Sequence, residues 1–134
     1  MKDLVIVGGG QSAAQCVLTL RRNDFKDPIT IIAEEHYLPY RRPPLSKEYL
    51  AGEVSLERVY MKTQDFFDQN NVVIKHSKAL SLDRESKSIN LSNGDTINYK
   101  NLVIATGSRV RELDVKGSHL KNINYLRTID DSND

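Results

Sequence analysis

The sequence is poor in cysteine, lacks tryptophan and contains no long hydrophobic run. Its single cysteine, Cys16, excludes an internal disulfide framework and is typical of proteins from a reducing compartment. The first apolar run, within MKDLVIVGGG, stops at glycine after a few residues, which is too short for a signal-peptide core or a membrane span. These absences predict a cytoplasmic chain with no membrane role.

An excess of charge of one sign is also missing. The 134 residues carry a net charge of +1, so the overall electrostatics do not attract nucleic acid. With 39% hydrophobic and 28% charged residues, the chain has the balance of a protein with one globular core. His36, His76 and His119 are scattered without the spacing of metal ligands, and we therefore expect no metal site.

The N-terminal part follows the pattern of a β-α-β unit. Residues 4–7 form an aliphatic run typical of a strand buried on both faces, and glycines follow it. Ala13, Ala14 and Val17 then recur at the spacing of one helix face. After Pro28, the segment ITIIAEE predicts a second strand, joined to the first by a right-handed parallel crossover. This unit predicts a Rossmann-like α/β fold with a parallel sheet.

The following segments depart from further β-α repeats. LSKEYLAG predicts a short helix that ends at Gly52, and TQDFFDQNN predicts another with Thr63 as its N-cap. NVVIK predicts a strand, and residues 79–105 predict a three-stranded antiparallel meander with a turn at Asn93 and Gly94. The meander leads into a separate apolar strand, NLVIATG, and the final residues predict a connector.

The glycine turn GGGQSA has the G-x-G-x-x-A spacing between the first strand and the helix. Gly8 permits a tight turn, Gly10 lets the backbone approach a pyrophosphate, and Ala13 keeps helix and strand close. Glu34, with Glu35 as its competitor, stands near the spacing at which a carboxylate binds an adenosine ribose and disfavours the 2′-phosphate of NADP. The pattern favours FAD or NAD; the alternative is a glycine turn without a ligand beside a surface glutamate.

The order of these segments resembles the FAD-binding half of flavoproteins with two dinucleotide-binding domains. LPYRRPPLSKEYL (residues 38–50) and the later ATG (residues 105–107) are similar to segments of FAD-dependent ferredoxin, rubredoxin and putidaredoxin reductases, and of apoptosis-inducing factors. The related disulfide reductases carry a C-x-x-x-x-C pair that this sequence lacks. Disulfide reduction is therefore excluded, and Cys16 is expected to be a buried, inert thiol.

The resemblance implies an FAD site built from several segments. The glycine turn would hold the pyrophosphate, the acidic pair the ribose, and Arg42 would lie along the cofactor, where an arginine offsets phosphate charge. Lys47 would lie near the isoalloxazine edge and tune the flavin, whereas Arg41 is expected to be solvated. The implied cofactor-binding residues are Gly8, Gly9, Gly10, Gln11, Ser12, Ala13, Glu34, Glu35, Arg42, Lys47, Ala79, Ala105, Thr106, Gly107 and Arg127.

The resemblance also implies that the chain is a fragment of a longer enzyme. Residues 1–112 would be the N-terminal segment of an FAD-binding domain, and residues 113–134 a connector toward an NAD(P)H-binding domain. The implied activity passes electrons from NADH through FAD to a ferredoxin or rubredoxin, and we expect this chain alone to bind FAD weakly or not at all. The alternatives are the reductase portion of a nitrite reductase, an NADH oxidase-like flavoprotein, or a nucleotide-binding module without turnover.

Overall fold

A computed structural model describes residues 2–134 as two compact units, one of residues 2–40 with 60–107 and one of residues 41–59 with 108–134. None of the helices in this range has the length and hydrophobicity of a membrane span. The elements in chain order are β1 (Lys2–Val7), α1 (Gln11–Arg22), β2 (Ile29–Ala33), a 3-10 helix (Pro43–Ser46), α2 (Leu56–Val59), α3 (Gln64–Gln69), β3 (Val72–His76), β4 (Ala79–Asp83), β5 (Ser88–Leu91), β6 (Thr96–Ile104) and α4 (Ile129–Asn133).

The first unit is a mixed α/β fold around a six-stranded sheet in the order β3-β2-β1-β6-β5-β4. β1 pairs in parallel with both β2 and β6, and β2 pairs in parallel with β3. β4, β5 and β6 pair as antiparallel neighbours. The predicted combination of a Rossmann-like β-α-β unit with an antiparallel meander is therefore confirmed.

Both faces of the central parallel strands β1 and β2 are buried, as their continuous apolar sequences predict. All five residues of β2 are buried, and so are Leu4, Val5 and Ile6 of β1. One core cluster joins alternate strand residues to Ala13 and Val17 of α1. The other joins the opposite strand face to the meander and contains Val5, Ile32, Ile89, Leu91, Ile97 and Tyr99. Helix and meander thus hold the parallel strands, and the loops at their carboxyl ends, in a fixed frame.

One expectation about the strands was wrong. The third strand of the meander and the apolar strand NLVIATG are one continuous strand, β6. Residues 96–98 pair antiparallel with β5, and residues 99–104 pair in parallel with β1. A strand can change partners in this way because each half satisfies its backbone groups with a different neighbour. No turn residue in the sequence marks the change, and none is needed.

The second unit contains the basic loop and differs from its prediction. The expected helix in LSKEYLAG is a 3-10 helix, Pro43–Ser46, followed by turns that end at Gly52, where φ is +73°. Pro43 and Pro44 have no N–H to donate, and the turns mix i−3, i−4 and i−5 acceptors in place of a regular ladder. The predicted end at Gly52 is kept, since glycine accepts this left-handed conformation.

The remaining helices are short. α3 begins where predicted, with the Thr63 side chain accepting a hydrogen bond from the Phe66 N–H at 3.4 Å. α2 and α4 were not predicted from the sequence. α4 lies within residues 113–134, the expected connector, and begins with a capping box between Thr128 and Asp131. The Ser132 hydroxyl donates to the Leu45 carbonyl oxygen, which joins α4 to the proline-rich loop within the second unit.

Candidate functional site

Three predicted segments of the site meet at one edge of the sheet. Gly8 follows β1, Glu34 follows β2, and Ala105 follows β6. Because β1 lies between β2 and β6 and all three strands are parallel, their carboxyl ends are adjacent. Ligands of open α/β sheets bind in the crevice outside the carboxyl ends of the strands. The fold therefore forms a binding edge from residues that are up to a hundred positions apart in the sequence.

Position 8, where β1 and β6 end, requires glycine for its backbone conformation and for the close approach of Ala105. It has φ of +116°, and its N–H donates to the Ile32 carbonyl oxygen at 2.8 Å. A Cβ atom at this position would lie 2.1 Å from the Ala105 carbonyl oxygen. The Ala105 N–H in turn donates to the Val7 carbonyl oxygen at 2.7 Å. Glycine thus permits both the predicted tight turn and direct backbone contact with the ATG segment, which was not predicted.

Gly9 and Gly10 have different surroundings. A Cβ on Gly9 would lie 2.5 Å from the Ala33 Cβ, so the position is closed by β2. A Cβ on Gly10 would meet nothing within 4 Å. Gly10 is the N-cap of α1 and offers no capping side chain, and the first turn of α1 contains no acidic residue. An open backbone at an uncapped helix N-terminus fits a phosphate group, as the sequence predicts for Gly10.

The other residues of the two turns differ in exposure. Gln11 and Ser12 at the start of α1 are exposed, whereas Ala13 is buried against the sheet. In the ATG segment, Thr106 and Gly107 are exposed, and Gly107 has φ of +72°. The exposed positions of the two turns are therefore Gln11, Ser12, Thr106 and Gly107, whereas Gly8, Gly9, Gly10 and Ala105 are half-buried.

The structure separates the roles of the two adjacent acids. Glu34 is 63% exposed at its side chain, and its Oε1 lies 2.8 Å from the Lys78 Nζ. Glu35 is half-buried, and its carboxylate accepts a hydrogen bond from the hydroxyl of the buried Tyr40. His76 Nδ1 lies 2.8 Å from the Glu35 carbonyl oxygen. Glu35 thus supports the loop after β2, and Glu34 is the acid that faces outward.

Ala79 lies close to this acidic pair. The Ser77 N–H donates to the Ala33 carbonyl oxygen at 2.8 Å, which joins the segment before β4 to the carboxyl end of β2. The Lys78 N–H donates to the Ser92 hydroxyl at 3.1 Å. These bonds bring Ala79 beside the loop that carries Glu34. Lys78 was missed because it is 44 positions from its partner and has no local motif.

Arg42, Lys47 and Arg127 belong to the second unit. Arg42 is half-buried, and its guanidinium donates to the Arg127 carbonyl oxygen. Lys47 is exposed just after the 3-10 helix, and Arg41 is exposed as expected. The structure therefore brings Arg42 and Arg127 together, and the loop has a structural contact that its basic sequence did not predict.

Asp131 supports this contact. Its Oδ2 accepts hydrogen bonds from the Arg127 and Thr128 N–H groups at 2.9 Å and 2.7 Å. The hydrogen bond from the Thr128 backbone, with the nearby charge of Arg42 as a lesser cause, holds the pKa of Asp131 below its ordinary value. The carboxylate is therefore charged near neutral pH, and it fixes the start of α4 beside Arg42.

The other reactive side chains of the described residues are a half-buried thiol and two neighbouring imidazoles. Cys16 is half-buried on α1, and burial raises the pKa of its thiol, which favours the less nucleophilic protonated form. The rings of His36 and His76 lie 5.6 Å apart. Within residues 2–134, no group of three or more His, Cys, Asp or Glu side chains is arranged to hold a metal ion. The groups at the carboxyl ends of the strands are therefore suited to binding: the backbone amides of the glycine turn, the Glu34 carboxylate and the Lys78 ammonium.

Comparisons with known proteins agree with this geometry. The chain is 38% identical over 130 residues to a probable ferredoxin reductase, CtmF, of Castellaniella defragrans, an alignment that covers 96% of this chain and 32% of that protein. It is 33% identical to the rubredoxin-NAD(+) reductase of Pseudomonas putida, with coverage of 96% and 34%. The crystal structure of the ferredoxin reductase for the CYP199A2 system from Rhodopseudomonas palustris matches with a TM-score of 0.91 at 35% identity, covering 99% of this chain and 33% of that chain.

The chain spans about a third of the length of the curated relatives it matches. The resemblance to ferredoxin and rubredoxin reductases, first inferred from the basic loop and the glycine turns, is confirmed by these relatives. The profile of the pyridine nucleotide-disulphide oxidoreductase family matches residues 2–134. The chain therefore belongs to the pyridine nucleotide-disulphide oxidoreductase family.

Proposed function

We propose that the chain is the FAD-binding part of an NAD(P)H-dependent flavoprotein that passes electrons from NADH through FAD to a ferredoxin or rubredoxin. The observation that carries this proposal is the meeting of the Gly8 turn, Glu34 and the Ala105 turn at the carboxyl ends of three adjacent parallel strands. The relatives named as ferredoxin and rubredoxin reductases support the choice of electron acceptor.

The residues at this edge fit a dinucleotide. Gly10 leaves open space at the uncapped N-terminus of α1, where free amide dipoles favour the pyrophosphate. The outward carboxylate of Glu34 would accept hydrogen bonds from the adenosine ribose, and its negative charge disfavours a ribose 2′-phosphate. Ala79 would line the adenine side, and the backbone at residues 105–107 would lie against the cofactor beside the glycine turn.

The resemblance to ferredoxin and rubredoxin reductases also assigns the basic residues Arg42 and Lys47 to FAD. Arg42 would offset phosphate charge that the dipole of one helix cannot balance, and its bond to the Arg127 carbonyl oxygen would limit its motion. The exposed ammonium of Lys47 would stabilise negative charge on the flavin. When bound, FAD supplies the chemistry that accepts a hydride and releases single electrons. The chain itself binds and orients the cofactor.

A cytoplasmic location belongs to the same proposal. Its support is the cysteine content, since the single cysteine, Cys16, cannot form an internal disulfide and such a sequence is typical of a reducing compartment. An NADH donor also favours the cytoplasm, since the proposed reaction consumes reduced nicotinamide. The domain division at residue 112 remains a prediction, and a limited proteolysis pattern with a first cut near that residue would support it.

The loop residues give a direct test in the protein encoded by the whole reading frame that contains this segment. We expect Arg42→Ala and Lys47→Ala to lower flavin retention or slow flavin reduction by roughly tenfold, because each removes a positive charge that the resemblance assigns to the cofactor. Arg41→Ala is the matched control, since Arg41 is exposed and neighbours Arg42. The measurements are flavin absorbance of the purified protein and the rate of NADH oxidation with a ferredoxin or rubredoxin acceptor.

Two results would contradict the proposal. Equal effects of all three substitutions would show that the charges of the loop act nonspecifically. The loop would then be a solvated connector, and Arg42 and Lys47 would not be cofactor ligands. Purified protein without flavin, and without NADH oxidation when FAD is added, would favour a nucleotide-binding module without turnover. Continuation of the reading frame past Asp134 into a second G-x-G-x-x-G motif would support a nicotinamide domain independently of both assays.

A further inference from the structure

We propose that Lys78 is a positioning residue for nucleotide recognition. It holds the Glu34 carboxylate in the orientation that accepts hydrogen bonds from the adenosine ribose. This inference rests on the dinucleotide binding proposed above and adds a residue that no motif contains. The Lys78 Nζ lies 2.8 Å from the Glu34 Oε1. A lysine in this place fixes one oxygen of the carboxylate on the protein and leaves the other to the ligand.

The backbone around Lys78 is held firmly enough for this role. Its N–H donates to the Ser92 hydroxyl at 3.1 Å, and the Ser77 N–H donates to the Ala33 carbonyl oxygen at 2.8 Å. Ala33 ends β2 and directly precedes Glu34. The segments that carry the lysine and the acid are therefore bonded to each other through their main chains, and the ion pair is an extension of that connection.

The two oxygens of Glu34 are used differently. Oε1 faces Lys78, while Oε2 has no hydrogen-bond partner among residues 2–134. The neighbouring Glu35 already accepts from the Tyr40 hydroxyl. A ribose offers two adjacent hydroxyl donors, and an oriented carboxylate binds them at lower entropic cost than a mobile one. The free oxygen of Glu34 is thus the acceptor that Lys78 prepares.

The ion pair has little value for stability alone. The side chains of Lys78 and Glu34 are 43% and 63% exposed, and exposed ion pairs contribute little to folding because water screens them and ordering costs entropy. A structural role would therefore predict almost no effect of removing the lysine. A positioning role predicts an effect confined to ligands that carry ribose hydroxyls, and the two can be separated by experiment.

The test uses the flavin-free, isotope-labelled protein encoded by the whole reading frame that contains this segment. It compares ADP with 2′,3′-dideoxy-ADP as probes and follows the amide NMR shifts of residues 8–10. We expect the wild-type protein to bind ADP about tenfold more tightly than the dideoxy nucleotide, because the ribose hydroxyls of ADP donate hydrogen bonds to a charged carboxylate. Lys78→Ala should reduce this ratio to about two, because Glu34 loses its orientation. Lys78→Arg should restore most of the ratio, since a guanidinium donates to the same carboxylate.

Lys75→Ala is the matched control. Lys75 lies on β3 and is 40% exposed at its side chain, and its ammonium pairs with Asp95 at 3.5 Å and not with Glu34. We expect this variant to keep the wild-type ratio of ADP affinity to dideoxy-ADP affinity. We expect all variants to keep the wild-type midpoint of denaturant unfolding.

Three outcomes would overturn the inference. If Lys78→Ala leaves the ratio of ADP affinity to dideoxy-ADP affinity unchanged, Glu34 does not need Lys78 for its orientation. Equal weakening of both nucleotides shows that Lys78 acts only as a charge toward phosphate. Absence of shifts at residues 8–10 with either nucleotide, in the folded longer protein, refutes the proposed dinucleotide binding and this inference with it, whereas the first two outcomes leave that binding intact.

Discussion

Gly8→Ala is expected to destabilise the chain by roughly 3–6 kcal/mol, a large share of the stability of a domain of this size. The new methyl group would lie 2.1 Å from the Ala105 carbonyl oxygen and 2.5 Å from its carbon, both of them backbone atoms. The residue would also have to keep φ near +116°, a region that alanine avoids. Denaturant unfolding followed by circular dichroism measures the change.

Gly10→Ala is the control for this prediction. The residue has φ of −87°, and nothing lies within 4 Å of the position of its Cβ. Replacing the N-cap glycine by alanine lowers the free energy of unfolding by about 1 kcal/mol or less. The same methyl group would occupy the space proposed for the pyrophosphate, so we expect flavin retention in the longer protein to fall about tenfold or more while the fold remains. Comparable unfolding of the two variants would refute the assigned difference.

The two glycines also show how far the sequence determines the site. The G-x-G-x-x-A spacing predicts the turn, the start of α1 and the open position at Gly10, because each depends on residues within one β-α unit. The contact of Gly8 with Ala105 depends on the pairing of β1 with β6, almost a hundred residues apart. Only the fold brings these residues together, and the motif alone could not predict the contact.

Long-range pairing explains the other differences between the sequence and the structure. The strand β6 contains no turn signal at the point where it changes partners, so the sequence could not join its two halves into one element. Lys78 gains a role only because the start of β4 is bonded to the end of β2. By contrast, α1, β2 and the Asn93-Gly94 turn depend on local periodicity and turn chemistry, and they were predicted correctly.

The basic loop illustrates a motif with two explanations. Its family-specific sequence implies that Arg42 is a cofactor ligand, and the structure adds a bond from Arg42 to the Arg127 carbonyl oxygen and a nearby charge on Asp131. These are compatible, since a guanidinium has five N–H donors and can hold a structural contact while it faces a phosphate. The flavin assay of Arg42→Ala therefore has to be read beside an unfolding measurement, which reports the structural part alone.

Arg21→Ala should lower the free energy of unfolding by about 2–4 kcal/mol, although no motif includes this residue. Its guanidinium donates to four backbone carbonyl oxygens, those of Asn70, Phe25, Asp27 and Asn71. It therefore joins the connection between α1 and β2 to the turn between α3 and β3. Burial lowers the pKa of Arg21, but an arginine stays charged at any ordinary pH. The hydrogen bonds of its guanidinium therefore do not depend on pH.

Two further variants separate geometry from charge. Arg22→Ala removes the adjacent arginine, which is exposed, and should change the unfolding free energy by less than about 0.5 kcal/mol. Arg21→Lys keeps the charge, but a single ammonium cannot reach acceptors on both connections, so it should recover less than half of the loss. Full recovery by lysine in denaturant unfolding would show that the positive charge stabilises the end of α1, and that the four carbonyl contacts contribute little.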